Sequence, residues 1–192
     1  MATGFGLRLA RKIGGGDPVI EPFVVAAGDA TALFKGDVVE FTATAAYDAA
    51  TQLPTITRAT TGHVLLGVVV GFDPDPTAPY SNSRAASTRR VVHVCTDRNA
   101  VYQVQEDTLG APVTAAEAGA RLNANIIVAA GSTATGLSGT MLDSSSRTAS
   151  AADLKIIGVA RTDDGNVAAL AAGAIYEVTI LAPANISTDS LT

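Results

Sequence analysis

The stretch Gly67–Pro76, GVVVGFDPDP, decides the fold class of this chain. Its run of consecutive valines predicts a buried strand, because β-branched side chains fit a pleated sheet better than a helix. Glycines inside a strand mark a bulge or the close approach of another backbone. Two Asp-Pro pairs follow, and proline donates no ladder hydrogen bond. The stretch therefore predicts a core strand with an abrupt exit.

The glycines and aspartates of this stretch do not fit a ligand site. A phosphate loop needs glycines in the turn between a strand and a helix, whereas here valines separate the glycines and prolines follow. Asp73 and Asp75 could share a cation, but hard cations need about six or more oxygen ligands, supplied by a glycine-bearing loop. We therefore expect an acidic turn here, with no metal and no cofactor.

The rest of the chain repeats this pattern of an apolar run followed by turn-forming residues, which predicts an all-β protein. Short apolar runs are broken by Gly, Asp, Asn or Pro every 8–12 residues or so, and several alternate with a period of two, as in Tyr176–Ile180. The predicted strands are Ile20–Ala26, Asp37–Thr44, His63–Phe72, Arg90–Thr96, Val101–Gln105, Asn125–Ala129, Leu154–Arg161 and Ile175–Leu181. We expect an antiparallel jelly-roll-like sandwich, with a small β-barrel carrying added strands as the alternative.

Two of these strands share one pattern. Leu65–Asp75 and Ile156–Asp164 each run from an apolar pair through a glycine, Gly67 or Gly158, into an acidic turn. An ancient duplication is one interpretation and two strands with the same structural role is the other. We favour the second, because the flanking sequences do not repeat.

Composition excludes several classes of function. The chain has 192 residues, which suits a single domain, and it contains only 5% aromatic and 16% charged residues. Its net charge of −5 argues against a nucleic-acid partner, which requires Lys and Arg to neutralise phosphates. No apolar run approaches the ~20 residues that span a bilayer, so we expect no membrane partner. The single cysteine, Cys95, excludes an intramolecular disulfide.

The N-terminal residues 1–17 differ from the β pattern. They are rich in glycine and carry Arg8, Arg11 and Lys12, apart from the acidic remainder of the chain. Glycine disfavours a stable helix, so we expect an extended, flexible N-terminal arm that becomes ordered on a partner. A frayed terminus is the alternative.

The remaining boundaries follow from composition. Residues 18–183 are expected to form a single β-rich domain, and residues 184–192 a polar C-terminal tail. Within the domain, residues 131–150 are small and polar and predict a long surface loop. Thr114 and Glu117 fit a capping box and predict a helix of one or two turns.

No group of residues meets the requirements of a catalytic or metal site. His93 and Cys95 lie on one face of a predicted strand, but zinc takes four ligands and no second pair completes the set. The sequence around Ser138 only resembles a nucleophile elbow, because it lies in a polar loop rather than between a strand and a helix. We therefore expect no catalytic residue. An enzyme would require Asp73, Asp75 and His93 to converge in one pocket.

Three segments resemble, in amino-acid sequence and in their order along the chain, a family of tailed-bacteriophage virion proteins known as capsid decoration or cement proteins. The residues that carry the resemblance are Gly67–Asp73 with Ala85–Val94, then Tyr102–Asp107, then Ala129–Gly139 with Leu142–Ser146 and Leu154–Val159. The alanine-rich Val167–Gly173 and the polar Ala182–Thr192 have no counterpart in the resemblance.

This resemblance implies a structural protein rather than an enzyme. It implies a β-rich protein made in a bacterial cytoplasm that binds the exterior of an icosahedral capsid and clamps adjacent major capsid protein subunits. The expected partners are the major capsid protein and the chain itself, as a homo-oligomer such as a dimer or trimer. A carbohydrate- or receptor-binding β-module on the virion is the alternative, although a chain poor in aromatic residues suits sugar stacking less well.

The predicted partner interface draws on three regions: the basic arm, a second basic patch in the segment 81–94, and the loop around Ser138. Arginine pairs well with carboxylates across interfaces, although a solvated charged turn is the other interpretation of the second patch. The predicted interface residues are Arg8, Arg11, Lys12, Arg84, Arg89, Arg90, Ser138, Met141 and Asp143.

Overall fold

A computed structural model describes residues 4–43, 46–76, 78–107, 110–160 and 173–181, and the regular structure in these ranges is almost entirely β. The strands are β1 Arg8–Lys12, β2 Ile20–Val25, β3 Leu33–Phe34, β4 Val38–Phe41, β5 Ile56–Arg58, β6 Gly67–Phe72, β7 Ser83–Arg84, β8 Arg90–Cys95, β9 Ala100–Gln105, β10 Asn123–Ala124, β11 Ile126–Ile127, β12 Met141–Leu142, β13 Leu154–Val159 and β14 Ile175–Ile180. A helix, α1, spans Ala115–Gly119, and a 3₁₀ turn spans Ser144–Ser146.

Two five-stranded antiparallel sheets form the body of the molecule. The strand order is β1–β9–β14–β13–β10 in the first sheet and β2–β8–β6–β4–β5 in the second. A core lies between them, to which the first sheet contributes Tyr102 and Tyr176 and the second contributes Val68 and Cys95. The predicted all-β sandwich is confirmed, and its jelly-roll form stays a prediction.

The second sheet is buried on both faces, which explains the valine run of β6. Val68 and the half-buried Val70 pack in the core between the sheets. Val69 instead packs in a second core on the far side, beneath Leu33. A strand buried on both sides reads as a continuous apolar run rather than an alternating one. The register shifts between Val69 and Gly71, so the predicted bulge is present.

The eight predicted strands are confirmed within a few residues of their ends, apart from Thr44 and Arg161, which lie outside the described residues. Asn125–Ala129 corresponds to the short β11 at Ile126–Ile127. The predicted capping box is also present, because the Thr114 side chain accepts from the Glu117 amide while Glu117 accepts from the Thr114 amide. Within the described ranges, no helix is long and apolar enough to cross a membrane.

The flexible-arm prediction is wrong for the segment around β1. Arg8–Lys12 pairs antiparallel with β9 at the edge of the first sheet. Leu7 is buried, and Leu9 packs against the same core, so the segment is anchored by its apolar residues. The glycines that suggested flexibility instead form the turn after the strand, where residues 14–16 all have positive φ.

The surface-loop prediction for residues 131–150 is wrong for part of the segment: residues 132–135 are exposed, but buried positions follow them. Ser138, Thr140 and Ser144 are buried, and β12 within this segment pairs with β11. Two of the small polar side chains that suggested exposure, Ser138 and Ser144, satisfy buried carboxylates instead. Ser144, for example, donates from both its amide and its hydroxyl to the buried Asp107 carboxylate, at 3.1 and 2.6 Å.

The two glycines of the shared strand pattern have different surroundings, and this leads to a stability prediction. A Cβ on Gly67 would overlap the backbone carbonyl of Cys95, whereas a Cβ on Gly158 would meet no atom within 4 Å. Because a backbone carbonyl inside a sheet cannot move aside, we expect Gly67→Ala to lower the free energy of unfolding by about 3 kcal/mol. Gly158→Ala should change it by no more than about 1 kcal/mol. Urea denaturation of both variants checks this, and equal effects would contradict the packing of β6 against β8.

Candidate functional site

An apolar groove opens between β1 and the bulged end of β6. It has a volume of about 310 Å³, near the lower end of the ~300–1,000 Å³ typical of ligand pockets. Leu137, on one wall, keeps 39% of its surface exposed, so the groove presents apolar area to an approaching molecule. The lining residues are Phe5, Leu7, Arg8, Leu9, Lys35, Gly36, Val69, Val70 and Leu137.

Backbone hydrogen bonds to β6 hold the walls of this groove. The Gly36 amide donates to the Val69 carbonyl at 2.8 Å, and the Val69 amide donates to the Asp37 carbonyl at 2.9 Å. The Leu7 amide donates in turn to the Gly36 carbonyl at 2.9 Å. Gly6 has a φ of 75°, and a Cβ there would lie 2.7 Å from both the Gly36 oxygen and the Ser138 Cβ. The segment before β1 therefore packs backbone against backbone on the β3–β4 turn.

A buried carboxylate joins the groove to the segment at Ser138. Asp37 is fully buried and accepts from the Ser138 hydroxyl at 2.5 Å and from the Phe34 amide at 2.8 Å. Ser138 also accepts from the Thr140 amide at 3.0 Å. Burial raises the pKa of Asp37 above its usual value, and the bond from Ser138 opposes that rise. The Ser138 hydroxyl therefore keeps a buried charge tolerable at this junction.

The rim of the groove is cationic. The Arg8 guanidinium donates to Gln103 at 2.6 Å and lies 5.6 Å from the centre of the Phe5 ring. Lys35 is the second cation of the lining, and in the described part of the chain neither Arg8 nor Lys35 forms an ion pair with a carboxylate. The lining contains no acidic residue. The groove thus combines an apolar floor with two positive charges.

The other predicted arm residues are engaged along β1. Arg11 forms an ion pair with Glu177 at 2.7 Å, and Lys12 forms one with Asp97 at 2.7 Å. The bond from Lys12 holds the pKa of Asp97 below its usual value. The first pair ties β1 to β14 across the first sheet, and the second ties β1 to the turn between β8 and β9. Because β1 is an edge strand, its far side has no neighbouring strand among the described residues.

Arg84 is not a surface residue, and its prediction as an interface position is wrong. It is fully buried, and its guanidinium donates to backbone carbonyls of Ala26, Asp29 and Thr88 at 2.7–2.8 Å and also to that of Thr31. Planar donors in a fixed fork suit this role. Arg84 therefore fixes the β2–β3 connection over the second core.

The two neighbouring arginines differ in exposure. Arg90 is buried, donates to the carbonyls of Asp73, Ser81 and Ser83, and lies 5.1 Å from the centre of the Phe72 ring, so it is structural too. Arg89 is exposed and pairs with Asp48 at 2.6 Å, which lowers the pKa of Asp48. Of the second basic patch, only Arg89 presents charge at the surface.

The three residues predicted in the loop around Ser138 are also partly or wholly internal. Ser138 is buried beneath the groove wall, as described above. Met141 is half-buried beside Gly4, where a Cβ would lie 2.7 Å from the Met141 Cγ. Asp143 caps the 3₁₀ turn by accepting from the Ser145 amide at 2.9 Å. The prediction that Ser138 contacts a partner at the surface is therefore wrong, and the exposed side chain at this point is that of its neighbour Leu137.

Of the residues considered for a catalytic or metal site, His93 contacts Asp73 but not Cys95. His93 lies 2.7 Å from Asp73, and both side chains are about half exposed, whereas Cys95 is buried in the core between the sheets. Among the described residues, no group of three or more His, Cys, Asp or Glu side chains is placed to hold a metal ion. The His93–Asp73 contact is a surface pair at the exit of β6.

Sequence reasoning missed the groove because it treated the segment before Gly14 as unstructured. The signal was present in Leu7 and Leu9, which alternate with Arg8 in the period of a half-buried strand. The sequence matches no protein-family model, and no curated protein is significantly similar to it.

Loss of the Ser138 hydroxyl should destabilise the groove wall in a pH-dependent way. Ser138→Ala leaves the buried Asp37 carboxylate without its closest donor, and we expect a loss of about 2 kcal/mol near neutral pH. The pKa of Asp37 is raised in the folded protein, so the contribution of this carboxyl group to stability is present at low pH and is lost as pH rises through that pKa. Without the Ser138 hydroxyl, the pKa of Asp37 should rise further. The loss measured by urea denaturation should therefore grow with pH.

Ser145→Ala is the matched control, since Ser145 is exposed and its hydroxyl donates to the half-buried Asp143 carboxylate at 2.6 Å. We expect a change of less than about 0.5 kcal/mol there. A Ser138→Ala effect that is equally small, or independent of pH, would contradict the role assigned to the Asp37–Ser138 bond.

Glu106 is a second buried carboxylate, and it lies away from the groove. It is fully buried and accepts from the Val113 amide at 2.9 Å, while its other oxygen has no hydrogen-bond partner in the described structure. Burial raises the pKa of Glu106. Its stabilising contribution is therefore present at low pH and lost as pH rises through the raised pKa. This is the cost of removing a charge from water into the core.

Glu106→Gln should accordingly stabilise the chain near neutral pH by at least about 1 kcal/mol, because the amide removes the charge and keeps the acceptor for Val113. The gain should shrink on acidification. Glu117→Gln provides an opposite-sign control, since the Thr114 amide holds the pKa of Glu117 below its usual value and that stabilisation is lost as pH falls. Denaturation curves across about pH 4–8 check both signs, and a destabilised Glu106→Gln variant at neutral pH would contradict this assignment.

Proposed function

We propose that this chain is a non-enzymatic structural protein of a tailed-bacteriophage virion. In this proposal it binds the exterior of an icosahedral capsid and clamps adjacent major capsid protein subunits, acting itself as a homo-oligomer. The observation that carries the proposal is the open edge of β1 beside an apolar groove with a cationic rim. Such an arrangement suits the binding of another protein.

The edge strand β1 offers unpaired backbone groups to a partner. An unpaired strand edge presents amide and carbonyl groups that can pair with an extended segment of a partner. The edge cations Arg8, Arg11 and Lys12 would discourage pairing between like-charged copies of β1, because like charges in register repel. Arg11 and Lys12 are already paired with Glu177 and Asp97, so Arg8, which forms no ion pair in the described part of the chain, is the edge charge that favours a partner strand carrying carboxylates. The surface therefore suits a heterologous acidic contact.

The capsid assignment itself draws on the resemblance to decoration proteins in the segments from Gly67 to Val159. A β-sandwich cross-braced by buried side chains such as Arg84 and Asp37 suits a clamp that must hold its shape under load. Repetition over many copies would turn a modest contact into a stable shell through avidity.

A carbohydrate- or receptor-binding module remains the second candidate, and one observation favours it. Tyr80 and Tyr47 keep 95% and 70% of their surfaces exposed, and exposed aromatic faces are what sugars stack on. The two candidates predict different ligands, so one experiment can compare them.

The test mixes the purified protein with capsid shells that lack it and measures binding, shell disruption temperature and binding to a glycan array. We expect saturable binding to shells, a higher disruption temperature and no glycan binding. Replacing both Arg8 and Lys35 by Glu should weaken shell binding by about tenfold or more, because it reverses the two charges beside β1 that form no ion pair in the described part of the chain.

The control replaces Arg121 and Lys155 by Glu, which changes the net charge equally at exposed positions outside β1 and the groove. Thermal unfolding of both double variants establishes that the fold is kept. Glycan binding without any effect on shells would overturn the capsid assignment, and equal loss in both double variants would overturn the assignment of the contact to β1.

A further inference from the structure

The groove beside β1 shows which chemistry its occupant must have. Its floor and walls are aliphatic or aromatic at Phe5, Leu7, Leu9, Val70 and Leu137. Burying an apolar side chain here would remove exposed apolar surface from water, which is favourable at about 25 cal/mol per Å². The occupant therefore needs at least one apolar side chain that reaches the floor.

The charges at the groove further restrict the chemical class of its occupant. Arg8 and Lys35 stand at the groove, neither has a carboxylate partner in the described part of the chain, and the lining residues include no Asp or Glu. The remaining β1 cations, Arg11 and Lys12, are already paired with Glu177 and Asp97. An occupant with carboxylates beside its apolar side chain would complement the unpaired charges.

The backbone beside the groove defines the shape of the occupant. The Leu7 amide already donates to the Gly36 carbonyl, so the β3–β4 turn takes the first position beside the segment that leads into β1. Beyond that point the far side of β1 has no strand neighbour among the described residues. An extended segment placed there would continue the sheet and direct alternate side chains towards the groove.

We propose that the groove and the edge of β1 together bind an extended acidic segment of a partner protein. The segment adds as a strand to β1, inserts an apolar side chain between Val70 and Leu137, and pairs its carboxylates with Arg8 and Lys35. This inference takes from the proposed function the identity of the partner, a capsid subunit. Its recognition chemistry rests on the groove alone.

The experiment uses a short, end-blocked peptide of alternating Glu and Val residues as the probe, and the same peptide with Lys in place of Glu as its counterpart. We expect the acidic peptide to bind the full chain at least about tenfold more tightly than the basic one, and to shift the amide resonances of residues 8–12 and 35–36. Binding should weaken as salt rises, because the charged rim is solvent-accessible.

Two variants test the groove with matched controls. Leu137→Glu and Lys35→Glu should each weaken acidic-peptide binding by about tenfold. Val64→Glu and Lys155→Glu, which change an exposed aliphatic and an exposed lysine elsewhere, should leave it unchanged. Equal affinity for the two peptides, absence of acidic-peptide binding, or indifference to Leu137→Glu would overturn the inference.

Other occupants are separate outcomes that would also overturn it. Dodecanoate that occupies the groove when the peptide does not would assign it to a lipid-like anion. Peptide binding that emerges only after deletion of residues 182–192 would assign it to the tail of the chain, and a dimer that Leu137→Glu dissociates would assign it to a second copy. If the acidic peptide binds but capsid shells do not, the proposed function fails and this inference stands.

Discussion

The bond between the Asp37 carboxylate and the Ser138 hydroxyl is the contact on which the partner-binding surface depends. Asp37 bonds β6 through its carbonyl and Ser138 through its side chain, at 2.9 and 2.5 Å respectively. Gly6 packs against the same junction and thereby sets the position of β1. Three segments that are distant in sequence thus meet at one buried charge. A buried carboxylate is costly unless it is fully hydrogen-bonded, so this junction tolerates few alternative arrangements.

The second sheet explains why such a junction is needed. Because β6 is buried on both faces, the second sheet has the first sheet on one side and a second core on the other, to which the β2–β4 connection contributes Leu33. Arg84 fixes this connection through the carbonyls of Ala26, Asp29 and Thr31, as Asp37 fixes the edge where the groove opens. Rigid supports of this kind preorganise a binding surface and reduce the entropy lost when a partner binds. The edge strand β1 is therefore held in place by a rigid core while one side of it stays without a neighbouring strand in the described structure.

Much of this frame could be predicted from the sequence, because strands such as β6 and β14 carry strong local signals in β-branched runs and period-two alternation. The candidate site could not, for three physical reasons. Leu7 and Leu9 give β1 too short a pattern to stand out among flanking glycines. The charge of Arg84 does not reveal that it is buried, since only the folded chain supplies the carbonyls that satisfy it. The sequence around Ser138 and Ser144 is typical of a loop, and only the folded structure shows that these residues donate to the carboxylates of Asp37 and Asp107.

In the proposed complex, a partner segment adds to the edge of β1 and enters the groove beside it. Amide hydrogen exchange, compared between the free protein and the protein bound to capsid shells, tests this most directly, because backbone pairing slows exchange at the strand that gains a neighbour. We expect new protection at residues 8–12, with little change around Tyr80 and Arg89. Protection confined to the Tyr80–Arg89 region, with β1 exchanging as fast as in the free protein, would contradict it.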